Sequence, residues 1–239
     1  MKTSFLGKSS NSIKSGLDIL DPIERNKDLI NHGIDIWNVY DFMYLDKNKI
    51  PKLKVLEIQI PYQSKLIIES KSMKLYLNQF YKKSFSNDQE LLKRIKNQIE
   101  KKIKSKIKVK LLKNFHSEPE FKLLNNSKQK FTLPNTIYKF NGFRSICPVT
   151  SQPDFANIYI YTDKKIEVDW LNKYLVSYKE HGGFHEKCID EIYMRLKKEF
   201  HPNHLEVCGR FQRRGGIDIN PVRGNKKLIL FKNFREFNQ

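Results

Sequence analysis

The chain has 239 residues and a mass of 28.5 kDa, room for one large domain or two of roughly 100 to 150 residues. With 39% hydrophobic and 12% aromatic residues it can build a core, which excludes collagen-like, coiled-coil, disulfide-scaffold and wholly disordered classes. The net charge of +19 would suit a nucleic-acid partner, but 36 of the 45 basic residues are lysine and only 9 are arginine, the residue that reads bases and phosphates bidentately.

Residues 1–34 mix Ser, Asn, Gly and Lys and read as an arm with little structure of its own. Gly7-Lys8-Ser9 is no phosphate loop, because Lys2 stands where the motif needs its first glycine. Residues 55–60 alternate, with Val55 and Glu57 outward against Leu56, Ile58 and Ile60 inward, a strand ended by Pro61. Residues 70–80 and 88–105 have helical spacing, the second through Leu92, Ile95, Ile99 and Ile103, and 106–112 alternate again. Ten cations fall between Lys93 and Lys113 against one acid, Glu100, and read as a solvated face. The stretch 115–142, with Asn125, Asn126, Pro134 and Asn135, reads as a linker.

The same order then returns. Residues 158–161 are strand-like, 169–179 and 185–200 helical, and 204–211 a strand followed by the Gly215-Gly216 turn. The first helices share Tyr76-Leu77-x-x-Phe80 and Tyr174-Leu175-x-x-Tyr178. Two modules, 35–114 and 143–225, are therefore expected, with a tail at 226–239. Strand, helix, helix, strand predicts an α+β fold, antiparallel sheets with helices on one face.

Candidate chemistry is scattered. Cys147 sits before Pro148 in an extended loop, and Asp154 follows seven residues on, so a nucleophile with a proton donor is possible; spacing alone favours a passive buried thiol. Cys188, on the stripe with Ile189, Ile192 and Leu196, and Cys208, inside a strand, read as core. Three cysteines without CxxC spacing fit a reducing compartment. His185-Glu186 opens a helix after Gly182-Gly183, where Glu186 either meets a ligand or offsets the helix dipole. His181 and His201 lack paired metal-ligand spacing, so no metal is expected. Ser70 reads as an N-cap, and Arg213-Arg214-Gly215-Gly216 joins two cations to a turn that admits a phosphate. No run reaches the ~18 to 20 apolar residues of a membrane span, and residues 1–11 lack a signal-peptide block, so a cytoplasmic protein is expected.

Several motifs occur in order: His32-Gly33-x-Asp35-Ile36-Trp37, Ile68-Glu69-Ser70-Lys71-Ser72-x-Lys74-Leu75-Tyr76, Cys147-Pro148-Val149-Thr150-x-Gln152-Pro153-Asp154, Phe184-His185-Glu186-x-Cys188 and Arg213-Arg214-Gly215-Gly216-x-Asp218-Ile219-Asn220-Pro221. Over residues 6–225 the chain resembles the long, two-module form of the QueF family, NADPH-dependent 7-cyano-7-deazaguanine reductases of queuosine (tRNA modification) biosynthesis. The resemblance implies tandem tunnelling-fold (T-fold) modules, a homodimer, and a small deazaguanine substrate with no direct nucleic-acid contact. It implies Cys147 as nucleophile forming a covalent thioimide, Asp154 as general acid and His185 beside the nitrile. Ile68, Glu69, Ser70, His185 and Glu186 would bind substrate, and Ser70, Lys71, Arg214 and Gly215 would bind NADPH, two per turnover. Two other readings are a zinc-dependent T-fold enzyme akin to pterin cyclohydrolases and a basic RNA-binding module.

Overall fold

The structure is a computed structural model that describes residues 16–25 and 30–239. Gly7-Lys8-Ser9 and most of the expected arm lie outside the described residues. Among the described residues the chain divides into two compact units, one of 16–25, 37–114 and 214–217, the other of 30–36, 115–213 and 218–239.

In the first unit the strands β1 (Pro22–Glu24), β2 (His32–Leu45, from Trp37 on), β3 (Pro51–Pro61) and β4 (Leu66–Ile68) precede helices α1 (Ser70–Asn78) and α2 (Asp88–Ile103), and β5 (Lys108–Leu112) follows. The sheet order is β5-β3-β2, and β3 meets β5 antiparallel from Val55↔Leu112 to Gln59↔Lys108. Leu56, Ile58 and Ile60 are wholly buried, as their alternation requires. Glu57, expected to face water, is also buried; Lys110 at 3.2 Å and the Gln59 amide at 2.7 Å compensate its charge. On α2 the buried stripe runs Leu91, Ile95, Ile99 and Ile103, so it begins at Leu91 rather than Leu92. Residues 16–25 are not a bare arm, since β1 pairs antiparallel with β4 and Leu20 is buried.

The second unit contains β6 (Lys122–Leu123), β7 (Thr136–Ile146), β8 (Pro153–Thr162), α3 (Val168–Val176), α4 (His185–Phe200), β9 (Leu205–Phe211) and β10 (Ile217–Gly224, from Asp218 on) in the sheet order β10-β9-β8-β7-β6. Neighbours are antiparallel except β6 with β7. The helices take one face: a Cβ on Gly209 of β9 would come within 2.7 Å of the Ile189 side chain of α4, so only glycine admits this approach. The opposite face carries the cross-strand row Tyr159, Cys208 and Val222. Phe121, Phe231 and Phe234 cover that row.

Two expectations change here. The stretch 115–142 is more than a linker, since it contains β6 and the start of β7 with Tyr138 and Phe140 buried. The tail 226–239 is built into the unit: Phe231, Phe234, Asn233, Glu236 and Gln239 are buried, and the amide of His116 donates to the Asn233 carbonyl at 3.0 Å. Glu236 accepts both from Asn157 at 2.9 Å and from the Tyr159 hydroxyl at 2.5 Å, with the Lys139 ammonium beside it. A second buried network joins Arg223 to Asp190 at 2.5 Å and Asp35 at 2.7 Å, which ties α4 to β10 and to the start of β2. The motif residue Asp35 thus serves as counter-charge for a wholly buried guanidinium.

Candidate active site

Cys147 follows the last residue of β7. Its amide donates to the Gln152 carbonyl at 2.9 Å and its carbonyl accepts from Ser151 at 3.0 Å, which closes 148–151 as the loop of the β7–β8 hairpin. Ser151 takes a left-handed φ of 55° to complete the turn. Because Ser145 stands opposite Asp154 and Ile146 opposite Pro153, the pleat puts Cys147 and Asp154 on one face as diagonal neighbours. That register depends on a bulge between Phe140 and Phe143, with Gly142 at φ 76°. Without the extra residue every later side chain of β7 would change face.

The end of β7 is also pinned from the helix side. Ile146 donates to the His181 carbonyl at 2.9 Å and accepts from Gly183 at 3.0 Å. Two residues later α4 begins with His185 and Glu186. The His185 Nε2 lies 3.4 Å from an Asp154 carboxylate oxygen, and the imidazole stacks on Phe211 with centroids 4.1 Å apart and planes 15° from parallel. Its Nδ1 is buried and has no hydrogen-bond partner among the described residues. Phe184, at the N-cap, makes no side-chain cap bond, and Glu186 in the first turn is buried.

Cys147, Cys188 and Cys208 are all free and buried. Burial pushes the Cys188 and Cys208 thiols up to about 12 each, so neither is a thiolate at neutral pH. Their expected role as core is what the structure contains. Cys147 is the one cysteine on the hairpin loop beside the acid and the imidazole.

The remaining candidates lie in the first unit. Glu69, not Ser70, is the N-cap of α1: its carboxylate accepts from the Lys71 amide at 2.7 Å and the Ser72 amide at 2.8 Å, and Ser70 opens the helix. Burial raises the Glu69 carboxyl above the usual carboxylate value, against the opposing pull of these two amides. Ile68 precedes it at the end of β4, buried. Arg214 and Ile217 bridge across Gly215 and Gly216, whose φ values are 60° and 81°, conformations that glycine adopts freely. The Lys74 ammonium of α1 lies against Gly215 and the Asp41 carboxylate against Gly216, in places where a Cβ would stand. A turn that carries Arg214 and has the Lys74 ammonium beside it brings two cations to a glycine backbone, which suits a phosphate.

The structure therefore groups Cys147, Asp154, His185 and Glu186 in one unit, and Ile68, Glu69, Ser70, Lys71, Arg214 and Gly215 in the other. Sequence reasoning missed Phe211 as the ring that fixes His185 and gave Lys74 and Asp41 no role at the glycine turn. Only Lys74, by its place in the α1 motif, carried a signal. Among the described residues no group of three or more His, Cys, Asp or Glu could hold a metal ion, and no helix is long and apolar enough to cross a membrane.

Comparison with known proteins matches residues 18–111 to the family described as nitrile reductase, 7-cyano-7-deazaguanine-reductase N-term, and residues 153–228 to the QueF-like protein family. The chain is 35% identical over 253 residues to the NADPH-dependent 7-cyano-7-deazaguanine reductase of Buchnera aphidicola subsp. Schizaphis graminum, covering 91% of this chain and 95% of that one. It is 32% identical to the protein of that name from Coxiella burnetii, over 87% of this chain and 82% of that one. The Acinetobacter baylyi protein of that name is 32% identical over 81% of this chain and 79% of that one.

Proposed function

The chain belongs to the 7-cyano-7-deazaguanine reductase (QueF) family, built from tandem T-fold modules, and on that premise we propose that it reduces the nitrile of 7-cyano-7-deazaguanine to the primary amine, 7-aminomethyl-7-deazaguanine, with NADPH. The observation that carries this reading is the Cys147–Asp154–His185 arrangement on one hairpin and one helix start. A nitrile carbon is a soft electrophile, to which the Cys147 sulfur adds to form a C–S bond. Asp154, on the same face, delivers a proton to the nitrile nitrogen as one C≡N π bond opens and regains a proton from the one that the Cys147 thiol gives up, leaving a neutral thioimide held to Cys147.

Going from nitrile to amine takes four electrons, so two NADPH molecules are used, each supplying one hydride when bound. Ser70, Lys71, Arg214 and Gly215 are the residues assigned to hold them, supported by the left-handed glycine turn with Arg214 in it and the Lys74 ammonium against Gly215. After the first reduction the C–S bond breaks and Cys147 is restored, leaving an imine that must be shielded from water. The burial of Cys147, Asp154 and Glu186 suits that demand. His185 holds Asp154 in place, and its buried Nδ1 is a polar atom available to the substrate. Glu186 is assigned to the N–H edge of the base, and Ile68 and Glu69 keep, within the first unit, their assignment to substrate binding. A homodimer acting in the cytoplasm, in queuosine biosynthesis, completes the proposal.

Intact-mass measurement after mixing the protein with 7-cyano-7-deazaguanine, without NADPH, tests it. The mass should rise by that of the nitrile, on Cys147. No adduct in the wild type, or an unchanged adduct in Cys147→Ala, would refute the mechanism.

A further inference from the structure

Residues 231–239 have no place in the chemistry above, yet they end on it. Gln239 is buried and its side-chain amide is fully used: Nε2 donates to the Phe211 carbonyl at 2.9 Å and to the Asn220 Oδ1 at 2.8 Å, while Oε1 accepts from the Glu236 amide at 3.2 Å and from Arg210 Nε at 3.3 Å. Two of these four hydrogen bonds, to the Phe211 carbonyl and from Arg210 Nε, hold the end of β9, where Phe211 stands, and the other two fix the amide itself against Asn220 and Glu236. The Phe211 ring is the one stacked on the His185 imidazole.

We infer that residues 231–239 are a positioning strap for the catalytic histidine: Gln239 anchors Phe211, and Phe211 holds the His185 plane so that Nε2 faces Asp154. The ring packs over Gly209, where a Cβ would come within 2.8 Å of it, and edge-on to Phe143 at 6.2 Å. It therefore has one seat, and the depth of that seat is set by the backbone that Gln239 grips. Arg210 serves the same end, since its guanidinium lies over the Phe234 ring of the strap, 4.5 Å from the centroid. The inference rests on the reading of His185 as part of the reacting site, but it concerns a different and separately measurable property, the orientation of the imidazole.

The experiment uses the full chain. A ring proton of His185 stacked on an aromatic face is shifted upfield, so its NMR resonance, assigned with His185→Gln, reports the stack without any substrate. Gln239→Ala and Phe211→Leu should each move that resonance toward the value of a free histidine. Each should also slow adduct formation on Cys147 by about tenfold, the scale expected for a misplaced reacting group. The double variant should be no slower than Phe211→Leu alone, because both act through one ring, while Phe211→Tyr, which keeps the ring, should retain the wild-type rate within about twofold. The Michaelis constant for NADPH should stay unchanged in Gln239→Ala. If Gln239→Ala does not fold, Gln239→Met, which keeps the length and removes the amide, takes its place. An unmoved His185 resonance in a folded Gln239 variant, or additive losses in the double variant, would overturn the strap. An absent adduct in the wild type would overturn the reading of the reaction instead, and the NMR result would still decide the strap.

Discussion

The two halves repeat one another almost residue for residue in their helices. A nine-residue helix, a four-residue 3-10 turn and a sixteen-residue helix that ends on a left-handed residue, Lys104 or His201, occur in each. What differs is which helix start is specialised. In the first half Glu69 caps α1 with its carboxylate, while α2 begins with Asn87 accepting from the Glu90 amide at 2.9 Å in an exposed, ordinary cap. In the second half Glu167, the counterpart of Glu69, makes no side-chain cap bond, and α4 opens with a histidine and a buried glutamate. A duplicated scaffold has diverged where helix ends supply unpaired backbone groups, and has kept its length where they do not.

The specialisation of the second half is greatest at its thiols. Cys147→Ala should abolish the adduct and lower nitrile turnover by about three orders of magnitude or more, the scale of a lost nucleophile. Cys188→Ala, on the buried stripe of α4, should retain both and lose only stability, so adduct mass and thermal melting separate a reacting thiol from a packed one. Asp154→Asn should reduce turnover by roughly 100-fold, the usual range for a lost general acid, with substrate binding retained by calorimetry. Near-normal turnover in Asp154→Asn would remove the acid from the scheme.

How far the sequence revealed this depends on the kind of burial. Helices α1 to α4 were legible because each has one buried stripe against a wet face, and α4 was expected at 185–200, where it lies. Strands β2, β7 and β10 were not. In β10 all eight residues are buried, among them Asp218, Asn220 and Arg223, so neither alternation nor an apolar run survives. In β7 the Gly142 bulge interrupts the alternation and leaves Asn141-Gly142 looking like a loop. The tail hid for a related reason, since Asn233, Glu236 and Gln239 are buried by hydrogen bonds to distant strands rather than by any local period. At the site, the rigid loop of Cys147 was visible in its prolines, but the contact of Asp154 with His185 needed the sheet register and the pinning of Ile146, which only the folded chain supplies.

The glycine turn tests the other half. Arg214→Ala should raise the Michaelis constant for NADPH by about tenfold or more, the value of one hydrogen bond to a charged group, and leave adduct formation without NADPH unchanged. Steady-state kinetics beside the mass assay therefore distinguish the two sets of residues. An Arg214→Ala enzyme with an unaltered NADPH requirement would return the turn to a purely structural role.

The smallest effect concerns Glu69, whose cap marks the contrast with Glu167. Its carboxyl is raised above 4.5 in the folded chain, chiefly by burial. Within the window between the unfolded value and the raised folded one, the native state binds more protons than the unfolded state, so this group's contribution to stability falls as pH rises. Below the window both states are protonated and the penalty vanishes. Above it the full penalty remains, offset by the two amide bonds to the carboxylate. Glu69→Gln removes the titration and weakens the cap, at a cost of about 1 kcal/mol by comparison with other N-caps. Urea denaturation of wild type and Glu69→Gln across acid to neutral pH should therefore show the wild-type advantage shrinking as pH rises through that window. Glu167→Gln, which removes no cap bond, should show a flat difference near zero. A wild-type advantage that grows with pH would mean that the amides outweigh burial at Glu69, and the two helix starts would then differ only in whether the glutamate caps.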